Sequence, residues 1–541
     1  MTVGMKKQLV AVSGVAVLLL AVAACASNRD DNGGSSSTSG GSFILGTTDT
    51  ITAVDPAGSY ALGDSTLQYS LFQTLVTIPA GQTTPVGDAA ESCDYDDPST
   101  LTCKLKPDLK FSNGDALTSS DVKYSFERAL TIGDPNGAAI YLLGDIAATD
   151  PKGNVTGLRD GAIETPDDTT VIFHLSRPDV TFVSLITYPG AGAIVDEDVF
   201  PADKKLADDA VIGSGPYTLA AYEAGNQATL QKNDNYSGDA AKTDQVFIKY
   251  YTDSSSLKQA VANGEVNIAW DALGPTDIEA LKSESSVTVA EGPGAAIRYW
   301  VWRTDSGPGK ELAVRQAAAQ IIDRAAIAKT AYADTVTPLY STVPPGLDGN
   351  EAFKDAYGAG PDVAGAKKTL EDAGVQTPVE ITMGWTPTHY GPNTVDEATE
   401  FKRELEDSGL FKVKLSSTEW EQYQTIYKEG AYDLWILGWY PDYPDPDDYL
   451  SVFLVDGGFF QNGYQNDEVN SLVNHELGST DPAARAEDFT KLQDIAARDV
   501  PIIPSWVGNN VAAYGDGVDG ATVKATLDTA YIFRLWTITT T

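Results

Sequence analysis

Histidine is almost missing from this chain. The three present, His174, His389 and His475, lie in separate regions, and none has a neighbour at metal-ligand spacing. No metal centre and no cofactor are therefore expected. Cysteine is as scarce: Cys25, Cys93 and Cys103 are the whole complement, too few for a zinc ribbon or a dense disulfide scaffold. Positive charge is short as well, with 37 Lys and Arg against 76 Asp and Glu and a net charge of -39. No basic face could neutralise a phosphate backbone, so nucleic acid is excluded as a partner. A Walker loop, a dinucleotide fingerprint and a GxSxG elbow are all absent. Ser214 sits in GSGP, where Pro216 would spoil the strand-to-helix turn that a nucleophile needs.

What remains is a long globular chain. Its 541 residues are 42% hydrophobic and 21% charged, which calls for two or three domains rather than one core. Long apolar runs are confined to residues 9–24, preceded by Lys6 and Lys7. That is the charged n-region and short apolar core of an export signal, not a spanning helix. The run ends Val22-Ala23-Ala24-Cys25, which resembles a lipobox, so Cys25 is the expected lipidation site and residues 1–25 the signal. Residues 26–42 are Gly, Ser and Asp with almost nothing to bury, and read as a flexible tether. The body is expected outside the cell, lipid-anchored to the outer face of the cell membrane. Cys93 and Cys103 flank an Asp96-Asp97-Pro98 turn, which predicts a hairpin closed by a disulfide in that oxidising setting.

The stretch over residues 432–450, YDLWILGWYPDYPDPDDYL, organises the functional reading. Its apolar start reads as a buried central strand that stops at Gly438. Beyond it Trp439, Tyr440 and Tyr443 offer flat faces, Asp442, Asp445, Asp447 and Asp448 offer charge, and three prolines stiffen the backbone. A rigid loop of aromatics and carboxylates at a strand end suits a cleft for a cationic organic ligand. Elsewhere Thr118 and Asp121 form a capping box before a helix, and residues 312–327 carry one apolar stripe predicting a single helix. Helices and strands alternate throughout, which argues for an α/β fold of mixed sheets with helices on their faces.

The string KLKPDLKFSNGDALTSSDVKYSFERA, residues 104–129, resembles the signature of the peptide/nickel/opine class of solute-binding proteins of ABC importers, the oligopeptide- and dipeptide-binding family. Further stretches agree in order: the GSGPY turn at residues 213–217, NDNY at 233–236, Val314-Arg315-Gln316-Ala317 with Ile322-Asp323-Arg324, Thr337-Pro338 with Pro344-Pro345, AKKTLEDAG at 366–374, residues 420–423, the 432–450 loop and residues 499–504. The resemblance runs from about residue 43 to the end.

It implies a two-lobed periplasmic-binding-protein-like fold of type II, cluster C, with an extra inserted domain and a hinge. Lobe I would combine residues 43–72, 187–290 and 500–541, the inserted domain would span 73–186, and lobe II would span 291–499. The implied function is capture of di- or oligopeptides between the lobes and delivery to permease subunits, with ATP hydrolysed on separate ATPase subunits. A monomer is expected. By the same resemblance Asp442, three residues after Trp439, holds the ligand's α-amino group and Trp439 packs over the ligand; Tyr440 and Tyr443, by their flat faces in the loop, are expected to line the same site. The carboxylate end departs from the pattern. Ile436 stands where oligopeptide binders often carry arginine, and residues 389–400 contain none. Arg298 or Arg303, beside Trp300 and Trp302, are the candidate substitutes. Three alternatives stay open: a non-peptide cationic solute, an exported hydrolase using carboxylates such as Asp442 and Asp445, and a signalling lipoprotein.

Overall fold

The computed structural model describes residues 40–541 apart from 272, 388 and 392. The expected export signal, lipidation at Cys25 and the tether as far as residue 39 lie outside the described residues. Among the described residues no helix is long and apolar enough to cross a membrane.

Two mixed sheets carry the two lobes. The first has seven strands in the order Tyr217–Glu223, Gln227–Lys232, Gln245–Tyr250, Ser42–Thr47, Ile268–Trp270, Asn510–Tyr514 and Thr288–Gly292. Its centre is parallel, Ser42–Thr47 pairing with both Gln245–Tyr250 and Ile268–Trp270. The second has six strands in the order Val336–Pro338, Ile502–Gly508, Ile297–Trp302, Leu434–Trp439, Val379–Trp385 and Phe411–Ser417. Its two middle strands, Ile297–Trp302 and Leu434–Trp439, are covered on both faces, so every residue of the first and Leu434 to Leu437 of the second are buried. This is why they read as continuous apolar runs and not as alternating ones.

Strand Ile502–Gly508 departs from expectation. The resemblance implies that residues 500–541 belong to lobe I, yet this strand pairs with Ile297–Trp302 at the heart of the second sheet. The cause is its composition: Ile502, Ile503, Trp506 and Val507 all pack into the lobe II core. The chain therefore crosses between lobes at residues 293–296 and again at Asn509. The crossings touch. The Gly508 amide donates to Ala296 O at 2.8 Å, and a Cβ on Gly294 would lie 1.7 Å from Gly508 O, so only glycine permits the approach. Two short adjacent segments of this kind are the hinge of the fold.

The inserted domain is built on a four-stranded antiparallel sheet, in the order Ala90–Asp97, Thr100–Leu105, Thr170–His174 and Ile163–Asp167. Cys93 and Cys103 face each other across its hairpin and form the expected disulfide. Helix Ser119–Ile132 starts on the expected capping box of Thr118 and Asp121 and ends on left-handed Gly133. From this helix Arg128 makes two charge-assisted bonds, 2.9 and 2.6 Å, to the buried carboxylate of Asp55 in lobe I. Residues 312–327 are not one helix. Leu312–Ile321 and Arg324–Tyr332 are separate, because the Asp323 carboxylate caps Ala325 N and Ala326 N and restarts the helix.

Candidate functional site

Where Leu434–Trp439 ends, the chain enters a loop whose shape is set by two carboxylates rather than by its prolines alone. Asp445 accepts from Asp447 N and caps the short turn Pro446–Tyr449. Asp448, fully buried, accepts from Trp439 Nε1 at 3.0 Å and from Asp442 N at 3.1 Å. Asp448 thereby fixes both the tryptophan and the backbone of Asp442. The Asp442 side chain reaches across to the other lobe, where Oδ2 accepts from the Tyr60 hydroxyl at 2.8 Å. Tyr60 stacks on Tyr141, with ring centroids 5.7 Å apart, and meets Tyr188 edge-on at 5.8 Å. Burial pushes the Asp442 carboxyl up to about 7, against the lowering effect of the Tyr60 bond. Burial, followed by the Asp442 charge, also holds Asp448 well above the usual carboxylate range.

The sequence-expected residues divide between the cleft and the core. Trp439 is half-buried, its ring edge-on to Phe453 at 5.4 Å and Phe459 at 5.2 Å. Tyr440 is 47% exposed and packs at 5.9 Å on Tyr531 of the opposite lobe. Tyr443 does not line the cleft. It is buried in the inserted-domain core, and its hydroxyl donates to Asp447 at 2.8 Å, so it bolts the loop to that domain. Trp300 is likewise a core residue: fully buried, it donates to Glu397 at 3.1 Å and packs on Phe401 at 4.7 Å. The strand is covered on both faces, so its sequence pattern could not tell cleft from core. Of the two candidate arginines, Arg303 is spoken for. It donates to the carbonyls of Gln461, Tyr427 and Lys428 and holds the loops beneath the sheet. Arg298 is different: its guanidinium lies between the rings of Tyr390, 4.1 Å away, and Trp506, 4.9 Å away.

Several cleft residues had no signal in the sequence. Tyr60 lies 382 positions from the carboxylate it meets, and nothing local marks it. On the lobe I wall, the Asp49 carboxyl is hydrogen-bonded to that of Asp271 and raised well above its usual range by burial and by that neighbour. Tyr531 donates to Asp271 at 3.1 Å. The cleft is thus lined by aromatics and carboxylates, with a single protonation needed wherever two acids touch. Such walls suit a ligand bearing an ammonium group. Among the described residues no group of three or more His, Cys, Asp or Glu is arranged to hold a metal ion.

Comparison with known proteins gives a consistent result. The family model "Bacterial extracellular solute-binding proteins, family 5 Middle" matches residues 84–461. The probable D,D-dipeptide-binding periplasmic protein of Escherichia coli (strain K12) is 27% identical over 504 residues, 90% of this chain and 92% of that one. The oligopeptide-binding protein of Bacillus subtilis (strain 168) is 26% identical over 475 residues, covering 84% and 85%. Among solved structures, a periplasmic binding protein of Helicobacter pylori in complex with the peptide STSA superposes with a TM-score of 0.74 at 21% identity, over 93% of this chain and 98% of that one.

Proposed function

The chain belongs to the bacterial extracellular solute-binding proteins of family 5, and on that premise we propose that it captures peptides between its lobes for an ABC importer. Proteins of this family bind solutes and are not enzymes, so the hydrolase alternative falls. The observation that carries the peptide reading is the Asp442 carboxylate, held between the lobes by Tyr60 and aimed by Asp448. An ammonium leaving water needs a charged partner at hydrogen-bond distance, and Asp442 is placed to supply it to a peptide's α-amino group. The names of the relatives, which bind dipeptides or oligopeptides, support the same ligand class. Tyr440 and Trp439 supply flat surfaces over which the first residues of the ligand can lie.

In this reading the protein is exported, anchored through a lipid on Cys25, and acts as a monomer. Ligand-bound lobes dock on permease subunits while separate ATPase subunits drive transport. The lobes close over ligand by rotation at residues 293–296 and Asn509. A non-peptide cationic solute is the second reading, favoured by the Asp49 and Asp271 pair on the lobe I wall. Calorimetry with a mixture of short peptides tests the choice. Asp442→Ala should weaken binding strongly and leave the melting temperature within a few degrees of wild type. Peptides recovered intact and bound with unchanged affinity would remove Asp442 as the amino anchor, and no peptide binding at all would favour the second reading.

A further inference from the structure

The inserted domain meets both lobes, and the two joints differ in kind. Its chain leaves the lobe I core after Phe72 and returns to it at Ala193. The buried Arg128–Asp55 pair and a bond of 2.7 Å from Arg128 Nε to Pro201 O close that joint. Two chain connections and a buried ion pair make the inserted domain and lobe I one body. Lobe II has no chain connection to the inserted domain, because its strands join those of lobe I through residues 293–296 and Asn509. Rotation at those crossings must break whatever lobe II and the inserted domain share.

What they share is a strap and a socket. The strap is residues 176–183 of the inserted domain, held in shape by its own side. Asp179 N donates to Pro98 O at 2.8 Å, and the Tyr95 hydroxyl donates to Asp179 O at 2.9 Å and accepts from Val183 N at 3.1 Å. Val180 N instead points outward and donates at 2.9 Å to the carbonyl of Leu477, the last residue of helix Asp467–Leu477. A helix end has carbonyls without partners of their own, and here another domain supplies a donor. The socket is the inserted-domain core, which takes the ring of Tyr443. Both contacts lead to the ligand loop. Tyr443 directly follows Asp442, and Arg485 bonds Glu476 at 3.0 Å and Asp445 through two bonds of 2.9 Å, which ties the helix end to the loop.

We propose that the inserted domain is a clasp on the ligand loop. In the closed protein the strap and the Tyr443 socket engage lobe II and hold the loop of Asp442 in its binding position; in the empty protein they part, and they must part for ligand to enter or leave. The contact is built to release: it rests on a main-chain bond and one buried ring, against the two chain connections and the ion pair that hold the inserted domain to lobe I. The clasp requires rotation of the lobes but no particular class of ligand.

The test pins the clasp shut. A Cβ on Gly478 would lie 3.7 Å from that of Pro178, the separation found across a disulfide, so Pro178→Cys with Gly478→Cys can be oxidised to lock strap to helix. Pro178 is exposed and Gly478 has an ordinary φ of -86°, so neither substitution strains the fold. The double variant is freed of ligand and oxidised, and wild type taken through the same oxidation and reduction controls for Cys93–Cys103. Alanine peptides of three to five residues are then offered, with uptake followed by stopped-flow tryptophan fluorescence. The locked protein should take up no peptide in the time that its reduced form needs to saturate, and reductant should restore uptake. Equal uptake by locked and reduced protein overturns the clasp. If neither form nor wild type binds these peptides, it is the peptide reading that falls, and the clasp is judged on the ligand-free protein by small-angle X-ray scattering. A radius of gyration that grows on reduction supports the clasp, and one that does not change overturns it.

Discussion

The raised carboxyl of Asp442 makes ligand capture depend on pH in a definite direction. An ammonium is held by the ionised form, and in the closed cleft that carboxyl ionises at about 7 rather than near 3.8. In the closed cleft Asp442 is therefore mostly protonated on the acid side of neutrality, and holding an ammonium there must expel the proton. With a pKa of about 7 the ionised fraction is about 0.03 at about pH 5.5 and about 0.5 at about pH 7. Apparent affinity scales with that competent fraction, so it should rise about 15-fold across the interval, while a peptide amino group stays mainly charged. Calorimetry in two buffers of different ionisation enthalpy should detect close to one proton released at the acid end. Asp442→Asn should abolish both the slope and the proton release. An affinity that is flat over this range, with no proton released, would refute the assignment of Asp442 as the ammonium partner.

Three further expectations follow from the scaffold. Arg128→Ala strips the partner from the buried Asp55 carboxylate between the inserted domain and lobe I, and urea unfolding should show a loss of about 3–5 kcal/mol. The pair Cys93→Ser and Cys103→Ser opens a hairpin of sequence separation 10, and a loss of about 2–3 kcal/mol should appear in the same assay, equalled by reduction of wild type. Glu397→Gln keeps the shape of the buried side chain but replaces one of the two oxygens that accept from Trp300, Ser505, Tyr332 and Trp506. Stability in urea unfolding should fall by about 1–3 kcal/mol, as should that of Arg303→Ala, which strips the donors from three main-chain carbonyls.

How much of this was legible in the sequence depends on whether the signal was local. The strand Leu434–Trp439 and its loop could be read because an apolar run meets prolines and carboxylates within a few residues. The disulfide hairpin and the helix Ser119–Ile132 were legible for the same reason, as turn and cap chemistry sit beside the elements they end. Orientation was not legible. Arg298 and Trp300 share one face of a fully buried strand, yet one packs on the rings of Tyr390 and Trp506 and the other bonds Glu397, a difference no local pattern carries. Tyr443 turns into the inserted-domain core and not the cleft, because an aromatic residue on a loop can face either domain. Tyr60, Tyr531 and the Asp49–Asp271 pair come from segments far from the loop, and only the fold assembles them. The boundary at Asn509 was invisible because Ile502–Gly508 and Asn510–Tyr514 are both apolar strands separated by one residue.

The proposed cargo of this cleft is a peptide held by its amino group at Asp442. Native mass spectrometry of residues 43–541, purified gently and then dissociated, would release that cargo for identification. Intact co-purified peptides with free amino termini are the expected result. A sugar, a metal chelate or a non-peptide amine released from the protein would contradict the peptide reading.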